Sequence, residues 1–333
     1  MMAVVSIPIV SVTVEGWRLT LRVLLRLLQR LLAALAKLFR RLRRGRGDKG
    51  ERDYRDIRCL TPPPQIRARP DPFIYSQQWL SSRGFAITWD NPDFRIIDPA
   101  TGAAVDRFSL LPNTDYEIEA RIHNGSFMAA LSTSVRFQVR GFGAGTALLS
   151  DLGEVTLDVP AMGNALARAG WHTPATGGHN CLLAIISHRD DANPLNNVGQ
   201  HNTDIAVPAS PARRIRFAVG NPGGGQRTVA LGMDSYQLPD DPRCPRDYRE
   251  RHSRTYLRRL QAANDVGKFP VPDFLHARLS AERLELAGED EIEVTLEFEA
   301  PPLEASPQPV NVNVFAGDDL IGGITAYVFA EER

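Results

Sequence analysis

Cysteine is scarce in this 333-residue chain: Cys59, Cys181 and Cys244 are widely separated and form no C-x-x-C pair. An odd number cannot all pair internally, so a disulfide-built scaffold is excluded; one bridge between two of the three stays open, and the redox compartment with it. Excess charge is missing too, since 39 Lys and Arg face 39 Asp and Glu. No G-x-S-x-G, no H-E-x-x-H and no paired catalytic carboxylates occur. Ser187 beside His188 is only a pair of chain neighbours, because a general base meets its nucleophile in space, usually from another segment. These absences point away from an enzyme.

The zero net charge conceals a split. Residues 1–47 carry ten Lys or Arg and one acid, a net charge of +9, which leaves −9 over the other 286 residues. Most of the basic residues sit in WRLTLRVLLRLLQRLLAALAKLFRRLRR, residues 17–44. On a helix wheel Arg18, Arg22, Arg26, Arg30, Lys37, Arg40, Arg41, Arg43 and Arg44 share one arc of about 160°. The opposite arc takes Leu21, Leu24, Leu28, Leu31, Leu35, Leu38 and Phe39. The spacing predicts an amphipathic helix about 42 Å long, stopped by Gly45 and Gly47.

An Arg at every fourth position from 18 to 30 rules this helix out as a spanning segment, which needs about 20 mostly uncharged residues. The preceding MMAVVSIPIVSVTV has no basic n-region and alternates like a strand, so no cleavable signal is expected. A Leu face opposite an Arg face suits peripheral association with an anionic membrane surface, or a groove on a partner protein or second subunit; docking on the chain's own core is the bland alternative. Aromatic residues other than Trp17 and Phe39 are not interleaved with the basic ones, so nucleic acid is not an expected partner.

Residues 48–72 are charged and then Pro-rich (TPPPQIRARPDP), and read as a linker. From Phe73 the text becomes short apolar or alternating runs between turns. DYEIEARIHN places Tyr116, Ile118, Ala120 and Ile122 on one face, and VRFQV does the same with Val135, Phe137 and Val139. About seven strands by residue 207 predict one antiparallel β-sandwich over 73–208. A second β-sandwich is expected over 209–333, interrupted by a charged, exposed helical insertion at 244–265. The fold class is therefore all-β: two immunoglobulin-like antiparallel sandwiches after a long N-terminal amphipathic α-helix.

GFGAGT at 141–146 has the glycines of a phosphate loop, but the chain runs on into LGEVTLDV, a strand rather than a helix, so the glycines are expected to shape a turn or bulge. NPGGGQ at 221–226 reads as a hairpin turn. The segment 179–205 gathers His179, Cys181, His188, His201 and an Asx-rich loop. Zinc, or a metal-dependent hydrolase, would need several of the soft ligands to converge, yet Cys181 lies on a strand face with Leu183 and Ile185. Calcium would use Asp190, Asp191, Asn193 and Asn197, residues that are equally good turn formers. No other cofactor is expected. Trp89 and Trp171 each end an apolar run before a turn and are expected in the core.

NPDFRIID, LLPNTDYEIEARIHNGSF, VRFQV, GWHTP and CLLAIISHRDDANPLNN together resemble the bacterial cell-adhesion-related module CARDB, over residues 85–207. The resemblance implies a seven-stranded immunoglobulin-like sandwich used for adhesion or spacing, without a catalytic site. Its recurring polar positions would fall on Asn124, Asp190, Asp191, Asn196 and Asn197. Two features depart from that family: no secretion signal is evident, and a diverged β unit stands where a tandem array is usual.

Overall fold

The computed structural model describes residues 69–205, 214–239 and 254–330. The expected helix over 17–44, most of the linker, Cys59 and Cys244 lie outside the described residues. What is described is mostly β, antiparallel apart from one parallel strand pair, with few helices. No helix among the described residues is long and apolar enough to cross a membrane.

Two sheets pack around a first core. One is built on β4 (Asp115–Asn124), which pairs with β8 (Asn164–His172) on one side and with β1 (Pro72–Phe73) and β2 (Phe94–Ile97) on the other; β3 (Ala104–Val105) extends β2. The second runs β10 (Val198–Ile205), β9 (Gly178–Ser187), β5 (Ala130–Gly141) and β7 (Leu148–Val159). The two-residue alternation has the expected result: Tyr116, Ile118, Ala120 and Ile122 of β4 meet Val135, Phe137 and Val139 of β5 in one buried cluster. Trp171 closes it, opposite Tyr116 in the β4–β8 register. Burying each of the Ile, Val and Phe side chains among them contributes about 1.5–3 kcal/mol relative to leaving it in water.

The third sheet has eight strands, ordered β13 (Arg278–Leu279), β15 (Glu291–Glu297), β11 (Arg214–Gly220), β6 (Gly143–Ala144), β17 (Asp319–Val328), β16 (Gln308–Ala316), β12 (Arg227–Asp234) and β14 (Arg283–Leu286). It encloses a second core of Phe217, Val219, Val229, Leu231, Val294, Val312, Val314 and Ile324. The glycine loop expected at 141–146 proves to be a strand donor: Gly143 and Ala144 run parallel to β11 at Ala218 and Val219, and Ala144 pairs antiparallel with Gly322 of β17.

NPGGGQ is not a hairpin. The strands it joins, β11 and β12, pair with other strands and face each other across the second core, so the loop arches over instead of folding one strand back on its neighbour. A turn sequence specifies a reversal of direction but not which strand lies alongside.

Strand β9 touches both cores. Leu182, Ala184 and Ile186 point into the first and Cys181 into the second, with Leu183 packed beside it, which explains why CLLAII is apolar throughout. A third cluster fills the junction: Tyr75, Leu80, Phe85, Ile87, Trp89, Tyr236, Tyr256, Leu260 and Leu320. Leu80 comes from the helix Gln77–Ser82, whose first turn is capped by the Ser76 side chain accepting from Trp79 N–H. Tyr256 and Leu260 come from the helix Arg254–Ala263. That helix is therefore docked along one face, where a charge count had suggested an exposed protrusion; its i, i+4 apolar pair is a short signal among many Arg.

Candidate functional site

At the junction one buried guanidinium joins two carboxylates. Arg107, in the segment after β3, is only 8% exposed, and its Nε and Nη2 both donate to Asp204 Oδ2 of β10, at 3.0 and 2.8 Å. Its Nη1 lies 3.7 Å from Asp90 Oδ1, and its plane covers the rings of Phe108 and Tyr327, 5.1 and 5.3 Å from their centroids. Tyr327 Oη donates to Asp90 Oδ2 at 2.8 Å. Asp204 Oδ1 bonds His179 Nδ1, and the His179 ring stacks on Phe142.

Burial by itself would lower the Arg107 pKa, but Asp204 and Asp90 hold it above its ordinary value. Burial likewise works to raise both carboxyls, and the opposing charges and hydrogen bonds, Arg107 prominent among them, leave them below the usual carboxylate range. Arg107, Asp90 and Asp204 thus have no proton to exchange near neutral pH, and together they act as a strut. Around it, Trp89 Nε1 donates to Asn313 Oδ1 at 2.9 Å, and Thr325 N–H donates to Asn202 Oδ1 at 2.8 Å. These bonds tie the segment before β2 to β16, and β10 to β17.

The histidines do not converge. His201 is buried, stacks on Phe94 and accepts from Asn91 N–H through Nδ1; His188 is at the far end of β9 from His179, its Nε2 on the Leu131 carbonyl. Among the described residues no group of three or more His, Cys, Asp or Glu is placed to hold a metal. Cys181 is a free, buried thiol that accepts from Asn202 Nδ2 at 3.1 Å and Gln200 Nε2 at 3.3 Å. Burial pushes its pKa up to about 11, so it is protonated near neutral pH and a poor nucleophile. It lines a cavity of about 200 Å³ together with Trp89, Gln77, Arg140 and Gln200.

Burial drives His201 down to about 4, with Arg107 adding to the effect and Asp90 opposing it. Below pH 6.5 the unfolded chain takes this proton first, so His201 costs stability as pH falls, about 1.4 kcal/mol per unit. Asp71 and Asp234, pushed up to about 6 mainly by burial, have the opposite sign: the folded chain protonates first. In metal-free buffer the stability is expected to rise by about 1.4 kcal/mol per unit from pH 6 to 4.5, and about twice as steeply in His201→Gln. Urea midpoints at several pH values check this; equal slopes would refute it.

The Asx-rich loop closes the other end of the first two sheets. Asp191 is buried; its Oδ2 accepts from Asn197 Nδ2 at 2.6 Å and its Oδ1 from Asn193 N–H at 2.8 Å. Asp190 is exposed and pairs with Arg189. Asn196 Nδ2 donates to Asp71 Oδ1 at 3.3 Å. Asn124 Oδ1 accepts from the N–H of Asp71 and of Ser126, and its Nδ2 donates to the Met128 carbonyl. Of the sequence-derived calcium set, Asp191, Asn193 and Asn197 meet while Asp190 faces outward.

Asp71 was not among the expected site residues, because proline-rich composition groups it with the linker. The alternation that begins at Phe73 is the signal that the sheet starts here. Arg107, Asp90 and Asp204 carry no local motif at all. Arg18, Arg22, Arg26, Arg30, Lys37, Arg40 and Arg41, with the facing Leu residues and Phe39, lie outside the described residues.

Fold and site together define a mostly β protein of packed sheets with a charged strut at its junction. No protein-family model and no curated protein matches the chain. Among solved structures it is similar to the CARDB domain of PF1109 from Pyrococcus furiosus. The solution NMR structure of that domain is 19% identical, with 35% of this chain and 96% of the domain covered and a TM-score of 0.25. Its crystal structure in complex with di-metal ions is 20% identical, covering 29% and 82%, with a TM-score of 0.23. Red sea bream transglutaminase is 10% identical over 72% of this chain and 31% of its own, with a TM-score of 0.24. The first two name the domain type that residues 85–207 resemble in sequence.

Proposed function

We propose that this is a non-enzymatic binding and spacing protein of the adhesion type, its body two immunoglobulin-like sandwiches, held at an anionic membrane surface by residues 17–44. The observation that carries the proposal is the charge split: a net +9 over residues 1–47, sorted opposite a Leu face, against −9 over the rest. A polybasic segment gains about 1 kcal/mol per Lys or Arg near an anionic bilayer, and an acidic body is repelled from it, so the body stands away.

The full chain is expected to co-sediment with phosphatidylserine-containing vesicles at low salt, to be released by raised salt, and to ignore neutral vesicles. The triple variant Arg22→Glu, Arg26→Glu, Arg30→Glu should lose binding. A chain that stays in the supernatant with anionic vesicles at low salt refutes the membrane reading. Should the same chain run as an oligomer that dissociates on Leu28→Asp, the Leu face belongs to a protein partner instead.

A further inference from the structure

The polar corner beneath the Asx-rich loop contains acceptors without donors. Asp71 Oδ2, Asn196 Oδ1 and Asn197 Oδ1 are buried and accept no hydrogen bond among the described residues. Asp71, Asn196 and Asn197 are 0%, 1% and 5% exposed. Buried oxygens of this kind are almost always paired, and three in one corner call for a partner that meets them, a water or a cation.

The three belong to one connected group. Asn196 and Asn197 are adjacent, Asn196 touches Asp71, and Asn197 touches Asp191. The Asn197 amide is not free to turn over: its Nδ2 is held between two acceptors, Asp191 Oδ2 and the Ile186 carbonyl, so its oxygen must face the other way. Asp71 and Asp191 form no ion pair among the described residues, and Arg69 spends its guanidinium on the backbone carbonyls of Asp190 and Asp191. The corner therefore offers two carboxylates and two amide oxygens, all hard donors, with no thiol or imidazole.

We propose that Asp71, Asp191, Asn196 and Asn197 form a binding site for one calcium ion. Two carboxylates match a divalent charge, and oxygen-only donors on a loop of loose geometry suit calcium's six to eight ligands at about 2.3–2.6 Å better than the strict octahedron of magnesium. Solvent completes the shell from the loop side. The site differs from the set that spacing suggests by exchanging Asp190 and Asn193 for Asp71 and Asn196. Asp71 comes from the start of the described chain and Asp191 from the loop between β9 and β10, so the ion would clamp β1 to that loop.

The test uses the purified full chain, stripped with EDTA and titrated with calcium chloride by calorimetry and thermal melting, with magnesium chloride as a parallel arm. One-site calcium binding is expected, with a melting temperature that rises to a plateau and a weaker magnesium response. Asp71→Asn and Asn196→Ala should each weaken calcium binding at least about tenfold, whereas Asp190→Asn should leave it unchanged. No heat and no shift at about 10 mM calcium in a folded chain would overturn the site and assign the corner to buried water. So would equal affinity for magnesium, or binding that survives in Asn196→Ala and in a folded Asp71→Asn.

Discussion

Arg107→Met is expected to lower the folding free energy by about 3–5 kcal/mol, because it leaves Asp204 and Asp90 charged at the junction without their guanidinium. Both carboxylates sit in the same pocket of rings and strands, and His179 alone would have to balance Asp204. Replacing both partners, as in Arg107→Met with Asp204→Leu, is expected to recover a large part of the loss, since the desolvated charge goes with its partner. Urea denaturation of the two single variants and the double variant measures the coupling directly. Strict additivity of the single effects would show that the two side chains do not act as a unit.

Gly143→Ala should be about as damaging, for a steric reason. A Cβ on Gly143 would lie 1.8 Å from the Ala218 carbonyl oxygen, and the residue has φ +145°, which side-chain-bearing residues rarely adopt. Strand β6 is only Gly143–Ala144 and sits between β11 and β17, so any outward shift breaks its pairing on both sides. A loss of about 3 kcal/mol or more is expected. Gly170→Ala is the matched control: nothing lies within 4 Å of its added Cβ, and it should change stability by less than about 0.5 kcal/mol. If the two variants unfold at the same urea concentration, β6 is not the inserted strand described here.

Much of the local structure was legible from the chain alone. Alternation in DYEIEARIHN and VRFQV named the buried faces of β4 and β5, and the apolar runs before Asn-Pro-Asp and His-Thr-Pro placed Trp89 and Trp171 in the interior. The Asx-rich loop was visible as a polar cluster, yet only part of the set that meets there could be chosen from spacing. Its missing member, Asp71, lies 120 positions before Asp191 and is disguised by neighbouring prolines.

What the sequence determined by itself is therefore the position and facing of most strands, and the charge split between an Arg-rich start and an acidic body. Both follow from local physics: side chains alternate along any strand, and charge is a sum over residues. The tertiary structure alone decided that Gly143 and Ala144 join a distant sheet, that NPGGGQ arches instead of folding back, and that Arg107 meets Asp204 across 97 positions. Those outcomes depend on which faces bury one another most completely, a property of the whole packed chain that no short stretch contains.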